Sequence, residues 1–170
     1  IMIDVPELTL DPSVANAFVP GLNLHEVLTI NGKVEGPPDK VEIEATASGA
    51  DQQIPIQLDL DLSQPPDPIY RGHIELAQFK PQDWFDIRGV NGNLSATIDI
   101  RATGLTPKNL RGTFELNVGP SRFREFALEG ANIVLEYEQP SIYLRTLQAW
   151  RTGARLEGSG HFTTKGLVDF

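Results

Sequence analysis

The sequence predicts an all-β chain of long, mostly antiparallel strands, and three observations carry that prediction. Apolar and polar residues alternate with period two over most of the 170 residues, the mark of half-buried strands. Clusters of Gly, Pro, Asn and Asp break the alternation at intervals near the ~8 to 12 residues typical of all-β proteins. Helix signals are confined to two short stretches.

Taken in order, residues 5–10 read as a short strand. Asp11 then stands where an N-cap is wanted and Pro12 at the first helical position, so one or two helical turns run to Phe18 and end at Pro20-Gly21. Residues 26–35 contain Asn31-Gly32, which fits either a hairpin turn or an uninterrupted strand with Gly32 at a bulge. After the Gly36-Pro37-Pro38-Asp39 break, Val41, Ile43, Ala45 and Ala47 alternate with Glu42, Glu44 and Thr46. Ile54, Ile56, Leu58, Leu60 and Leu62 continue the pattern. Pro55 lacks a donor, so it belongs at an edge or with its nitrogen turned from a partner.

Gln64-Pro65-Pro66-Asp67-Pro68 is a stiff connector, and the next strand sets Tyr70, Gly72, Ile74 and Leu76 on one side. Residues 80–85 then form a short helical turn that lays Trp84 or Phe85 over an end of the sheet. Residues 89–118 show the alternation best. Leu94, Ala96, Ile98 and Ile100 oppose Asn93, Ser95, Thr97, Asp99 and Arg101; after a turn at residues 104–109, Leu110, Gly112, Phe114, Leu116 and Val118 oppose Arg111, Thr113, Glu115 and Asn117.

Residues 122–128 read as one strand, followed by Ala131, Ile133, Leu135 and Tyr137 in phase and a turn at Gln139-Pro140-Ser141. Ile142 and Leu144 are out of phase with Leu147 and Ala149, which places a bulge near Arg145 or Thr146. Ala154, Leu156, Gly158, Gly160 and Phe162 complete about ten strands. Such strands share one broad apolar surface, to be covered by a second sheet, by curling of the sheet, or by a ligand.

Composition narrows the function. Hydrophobic residues at 40% and charged residues at 22% exclude disorder. No run approaches the ~18 apolar residues of a membrane helix. A net charge of -9 argues against nucleic acid, whose phosphates call for clustered cations. With no cysteine, disulfides, thiolate metal sites and cysteine nucleophiles are excluded, and the redox compartment stays open. The start, Ile1-Met2-Ile3-Asp4-Val5-Pro6, carries no signal-peptide pattern. Residues 165–169 read as the start of another strand, so the expectation is a single segment, residues 1–170, of a larger protein.

No constellation for chemistry emerges. His25, His73 and His161 lie far apart beside polar neighbours and read as outward-facing, and Asp59 and Asp61 point together to solvent without a calcium loop. Gly89-Val90-Asn91-Gly92 and Gly158-Ser159-Gly160 do not lead into helices, so no phosphate cradle is predicted. Ser121, Ser141 and Ser159 have no partnered base. The expectation is a protein that is not an enzyme, with no cofactor and no metal site. The aromatics Phe114, Phe123, Phe126, Tyr137, Tyr143, Trp150 and Phe162 fill a core or line an open groove.

Residues 89–104, Gly-Val-Asn-Gly-Asn-Leu-Ser-Ala-Thr-Ile-Asp-Ile-Arg-Ala-Thr-Gly, followed by Asn109-Leu-Arg-Gly-Thr-Phe-Glu-Leu, resemble a recurrent unit of a known family. Residues 131–138 and 153–162 look like its usual sequel, a strand pair and then a strand rich in small residues. The family is the AsmA-like proteins of Gram-negative envelopes, which include the translocation and assembly module subunit TamB. The resemblance covers residues 89–170 well and residues 1–88, rich in proline, loosely.

What the resemblance implies is a long curved antiparallel sheet folded as a gutter or taco, with an apolar concave face. It further implies a periplasmic segment of an inner-membrane-anchored protein that conducts phospholipid or assists outer-membrane protein assembly. Leu94, Ile98, Ile100, Phe114, Leu116, Leu135 and Tyr137 are the expected lining for phospholipid or another hydrophobic ligand. The competing expectation is a closed β-sandwich acting as a structural or adhesion module, in which the same alternation fills a two-sheet core. A piece of an outer-membrane barrel fits less well, because paired aromatic girdles are missing.

Overall fold

The computed structural model describes residues 2–18, 23–63, 67–86, 91–104, 109–138 and 141–163. They form an open antiparallel sheet of twelve strands with two short helices. The strands are β1 (Met2–Leu10), β2 (Leu28–Glu35), β3 (Lys40–Gly49), β4 (Gln52–Asp61), β5 (Ile69–Phe79), β6 (Gly92–Thr103), β7 (Arg111–Val118), β8 (Ser121–Phe123), β9 (Phe126–Leu128), β10 (Gly130–Glu138), β11 (Ser141–Arg151) and β12 (Ala154–Thr163). The helices are α1 (Pro12–Phe18) and α2 (Pro81–Trp84). The expected turns or ends at residues 20–21, 64–66, 89–90, 105–108 and 139–140, and the strand start at 165–169, lie outside the described residues.

The topology is a meander in which each strand of the path pairs with the one before it, except that the β8–β9 hairpin is set aside between β7 and β10. Because side chains alternate across a strand, the registers decide which residues share a face. One row crosses all ten strands of the path: Ile3, Val34, Ile43, Leu58, Gly72, Ile100, Phe114, Leu135, Leu144 and Gly160. The adjacent row on the same face runs from Val5 through Ala45, Ile74, Ile98, Leu116 and Ile133 to Leu147 and Gly158. The intervening row on the other face, Lys33, Glu44, Gln57, His73, Asp99 and Glu115, is polar.

Local details explain how the rows stay in phase. Arg145 is the extra residue where β11 passes β10, so that Leu144 and Leu147 both face the apolar side, as the broken alternation predicts. A second shift between Leu76 and Phe79, with Gln78 at φ 55, carries β5 beyond its expected end and turns Phe79 onto the apolar face. Strand β2 runs unbroken through Asn31-Gly32; a Cβ at Gly32 would stand 2.4 Å from the Glu44 carbonyl oxygen of β3. Strand β5 pairs with β4 only from Ile56 onward, so Pro55 lies short of the stretch where a second neighbour would use its missing donor.

Two expectations are corrected. Residues 122–128 are not one strand but the β8–β9 hairpin, whose turn at Arg124-Glu125 uses Arg124 at φ 53 in place of a glycine or asparagine. The closed β-sandwich is not formed either: β1 and β12 are the two edges of a single sheet and do not pair.

Among the described residues the buried core lies at one end of the sheet. Trp84, 2% exposed, packs edge-on against Phe79, with ring centroids 5.4 Å apart, and joins Ala47, Leu28, Ile30 and Leu94. The segment before β2 is laced to α2: the His25 N–H donates to the Trp84 carbonyl (3.0 Å) and the Asp86 N–H to the Asn23 carbonyl (2.8 Å). The Asn16 side chain satisfies both backbone groups of Leu24 at 2.8 Å, which ties α1 to the same cap. Helix α1 starts as predicted, with Asp11 Oδ1 accepting from the Ser13 amide and hydroxyl; those bonds hold the Asp11 carboxyl below the usual carboxylate range.

Candidate functional site

Where the core ends, the apolar rows continue with no second layer over them among the described residues. Ile43, Leu58, Ile100, Phe114, Leu135 and Leu144 sit in one row and each is half-buried, covered only by its neighbours along and across the strands. Such a face leaves contiguous apolar area in water, which favours an occupant by area rather than by directional contacts.

The seven lining residues expected from sequence fall on this face by register: Leu94, Ile98 and Ile100 on β6, Phe114 and Leu116 on β7, Leu135 and Tyr137 on β10. Leu94 and Leu116 lie at the capped end, where they line a cavity of about 730 Å³ that opens along the sheet. Ile98, Ile100, Phe114, Leu135 and Tyr137 extend from it toward the opposite end of the strands.

The cavity also brings together residues that sequence reasoning left out of the lining. Phe123, Phe126 and Leu128 of the β8–β9 hairpin form one wall, and Ile133, Leu147 and Leu156 of the last three strands face them. The hairpin is held against β6 by pairing of Gly92 with Phe123 and Asn93 with Arg122. Only glycine permits this approach, since a Cβ at Gly92 would fall 2.0 Å from the Arg122 carbonyl oxygen. The Ser121 hydroxyl, buried, accepts from the Ser95 amide (3.0 Å) and donates to the Gly119 carbonyl (3.0 Å), fixing the hairpin's root. The aromatic residues Phe123 and Phe126 were the legible signal for this wall; the turn between them carries no sequence mark.

The edge strand β12 is exposed along its whole length, with Leu156 at 57% and Phe162 at 59%. It is the side on which the apolar rows remain most open.

The outer face is polar and ion-paired. Lys33 sits 3.1 Å from Glu44 and 3.7 Å from Glu35, and Arg145 lies 2.5 Å from Glu136 and over the Tyr143 ring. His73, half exposed, places Nδ1 2.7 Å from Asp99 and Nε2 3.4 Å from Glu75. The Asp99 hydrogen bond is the main cause that raises the His73 pKa above its ordinary value. His161 stacks on Tyr143 on the same face, and His25 is exposed beside the cap. Asp59 and Asp61 point to this side, Asp61 accepting from Ser63. Among the described residues no group of three His, Asp or Glu is placed to hold a metal ion.

No family model matches the chain, and neither a curated protein nor a solved structure does.

Proposed function

We propose that this chain is a hydrophobic groove that binds phospholipid or comparably apolar segments and conducts them along the sheet. The observation that carries the reading is the pair of apolar rows crossing ten strands, whose large side chains stay half-buried with no second layer among the described residues. Acyl chains suit such a face because each buried CH₂ contributes about 0.8 kcal/mol and asks for no polar partner. Continuous rows let a chain slide from one strand to the next without leaving apolar contact.

The resemblance to AsmA-like envelope proteins supports the same reading and supplies a setting. The segment belongs to the periplasmic part of an inner-membrane-anchored protein, carrying lipid between membranes or assisting outer-membrane protein assembly. No helix among the described residues is long and apolar enough to cross a membrane, so in this reading attachment belongs to parts of the protein beyond this chain.

The test is site-specific photo-crosslinking in the presence of phospholipid. Ile98 faces the apolar side and its neighbour Thr97 the polar side, paired with Glu75 and Asn117. Lipid adducts are expected at Ile98, Phe114 and Leu135 and not at Thr97; equal labelling of Ile98 and Thr97 overturns the proposal.

A further inference from the structure

Arg151 breaks the rule that the apolar face carries no charge. Past the bulge, β11 presents Leu147, Ala149 and Arg151 in phase, and Arg151 pairs with Ala154, itself in phase with Leu156. Among the described residues paired on that face Arg151 alone is charged; Glu129, just before β10, stands opposite it by continuation of the β10–β11 register and accepts from the Thr152 hydroxyl. Its guanidinium lies 5.0 Å above the Phe126 ring at the wall of the 730 Å³ cavity. No carboxylate among the described residues comes within ion-pair distance of it.

The surroundings strengthen the anomaly. Two other clefts balance their charges: Arg71 and Arg101 share theirs with Asp59 and Asp99, and Arg111 shares its own with Glu136 and Glu138. The cavity is lined by Arg151 and Arg155 and by no acid, while Arg155 is already engaged by Glu157 at 2.7 Å on the other face. Behind the hairpin, Lys80, Arg122 and Arg124 line a cleft of about 360 Å³ that likewise contains no acidic residue. In a chain of net charge -9, the lining of this cavity thus holds arginine and no acid.

We infer that the cavity selects phospholipids with a net-negative headgroup, Arg151 taking the phosphate while the acyl chain lies along Leu116, Ile133 and Leu147. The inference rests on the lipid-groove reading and adds to it a headgroup preference and a residue. A guanidinium offers a phosphate two parallel N–H donors, and the apolar wall beside it offers the acyl chain contact area. Stacking on Phe126 holds the guanidinium plane at the cavity mouth before any lipid arrives.

The experiment is native mass spectrometry of the intact chain mixed with phosphatidylglycerol, phosphatidylcholine or oleate in detergent micelles, compared for wild type, Arg151→Gln and Arg151→Lys. Wild type is expected to favour phosphatidylglycerol over phosphatidylcholine by about tenfold, a preference that Arg151→Gln abolishes and Arg151→Lys keeps in part. Phosphatidylcholine, whose choline offsets the charge of the same phosphate, is expected to lose clearly less than phosphatidylglycerol does in Arg151→Gln. Equal binding of the two phospholipids by wild type, or an Arg151→Gln variant that weakens both alike as loss of the Phe126 contact alone would do, overturns the headgroup preference and leaves the groove standing. Binding of oleate in place of phosphatidylglycerol overturns the phosphate assignment. Failure of every lipid to bind overturns the groove reading and this inference together.

Discussion

At one end of the sheet Trp84 is 2% exposed against Phe79 and Ala47, whereas two rows away Ile100, Phe114 and Leu135 carry the same kind of side chain and remain half-buried. Both regions come from the same alternation on the same strands. The difference is what lies above them. At the capped end a four-residue helix and the β8–β9 hairpin fold over the rows, and small residues beneath them, Ala47, Ala96 and Ala131, make room. At the open end nothing among the described residues covers the rows, and the side chains there are larger. Burial is therefore concentrated at the cap and exposed apolar area in the open part.

Trp84→Ala should separate the two regions most sharply. Removing the side chain that closes the capped end should cost about 3 to 5 kcal/mol, read from urea denaturation. A loss below about 1 kcal/mol would mean that the cap is not the core. Trp84→Phe should cost far less, about 1 kcal/mol or below, because the indole Nε1–H is buried without a partner among the described residues and its deletion removes an unsatisfied donor.

Gly92→Ala tests the hinge between the regions. The added methyl meets the Arg122 backbone, so the hairpin must move off β6 at a cost of about 1 to 3 kcal/mol. Hydrogen exchange is expected to rise in residues 121–128 while β3 and β4 stay protected.

Phe114→Ala probes the open part. Its ring is half-buried, so without ligand the loss should be only about 1 kcal/mol. In the presence of phospholipid the gap in Tm between variant and wild type should widen, because the bound chain buries the rest of the ring. A gap unchanged by lipid would show that the open rows are not where lipid lies.

The smallest effect belongs to the outer face. His73 has a raised pKa in the folded chain, so its ion pairs stabilise the fold fully below the unfolded value of about 6.5 and that stabilisation fades as pH rises through the higher folded value. His73 is exposed enough for solvent to screen the pair, which limits the contribution to about 0.5 kcal/mol. His73→Gln should destabilise by that much at pH 5.5 and by nothing measurable at pH 8.5, as followed by urea midpoints, and it should leave lipid binding unchanged.

Much of this architecture was legible in period two. The alternation placed Leu94, Ile98, Ile100, Phe114, Leu116, Leu135 and Tyr137 on one face, and the slip between Leu144 and Leu147 put a bulge at Arg145 or Thr146, of which the register selects Arg145, because a one-residue insertion reverses every later side chain. A Pro-led turn ending in aromatics put Trp84 or Phe85 over the end of the sheet, and burial singles out Trp84. The hairpin at residues 121–128 was not legible, since Arg124 takes a left-handed conformation that no glycine or asparagine announces. Phe79 was missed for the same reason, its bulge depending on Gln78 at positive φ.

By itself the sequence determined the long strands, their two faces and the absence of cysteine chemistry, because those follow from side-chain order and composition, which pairing does not alter. Only the tertiary structure decided that the sheet stays open, that its cap lies at one end, and that Arg151 meets Phe126 across a cavity. Each of these depends on which strands become neighbours and on where a short hairpin comes to rest. Alternation is indifferent to both, because a strand presents the same apolar face to a second sheet, to a cap or to a lipid.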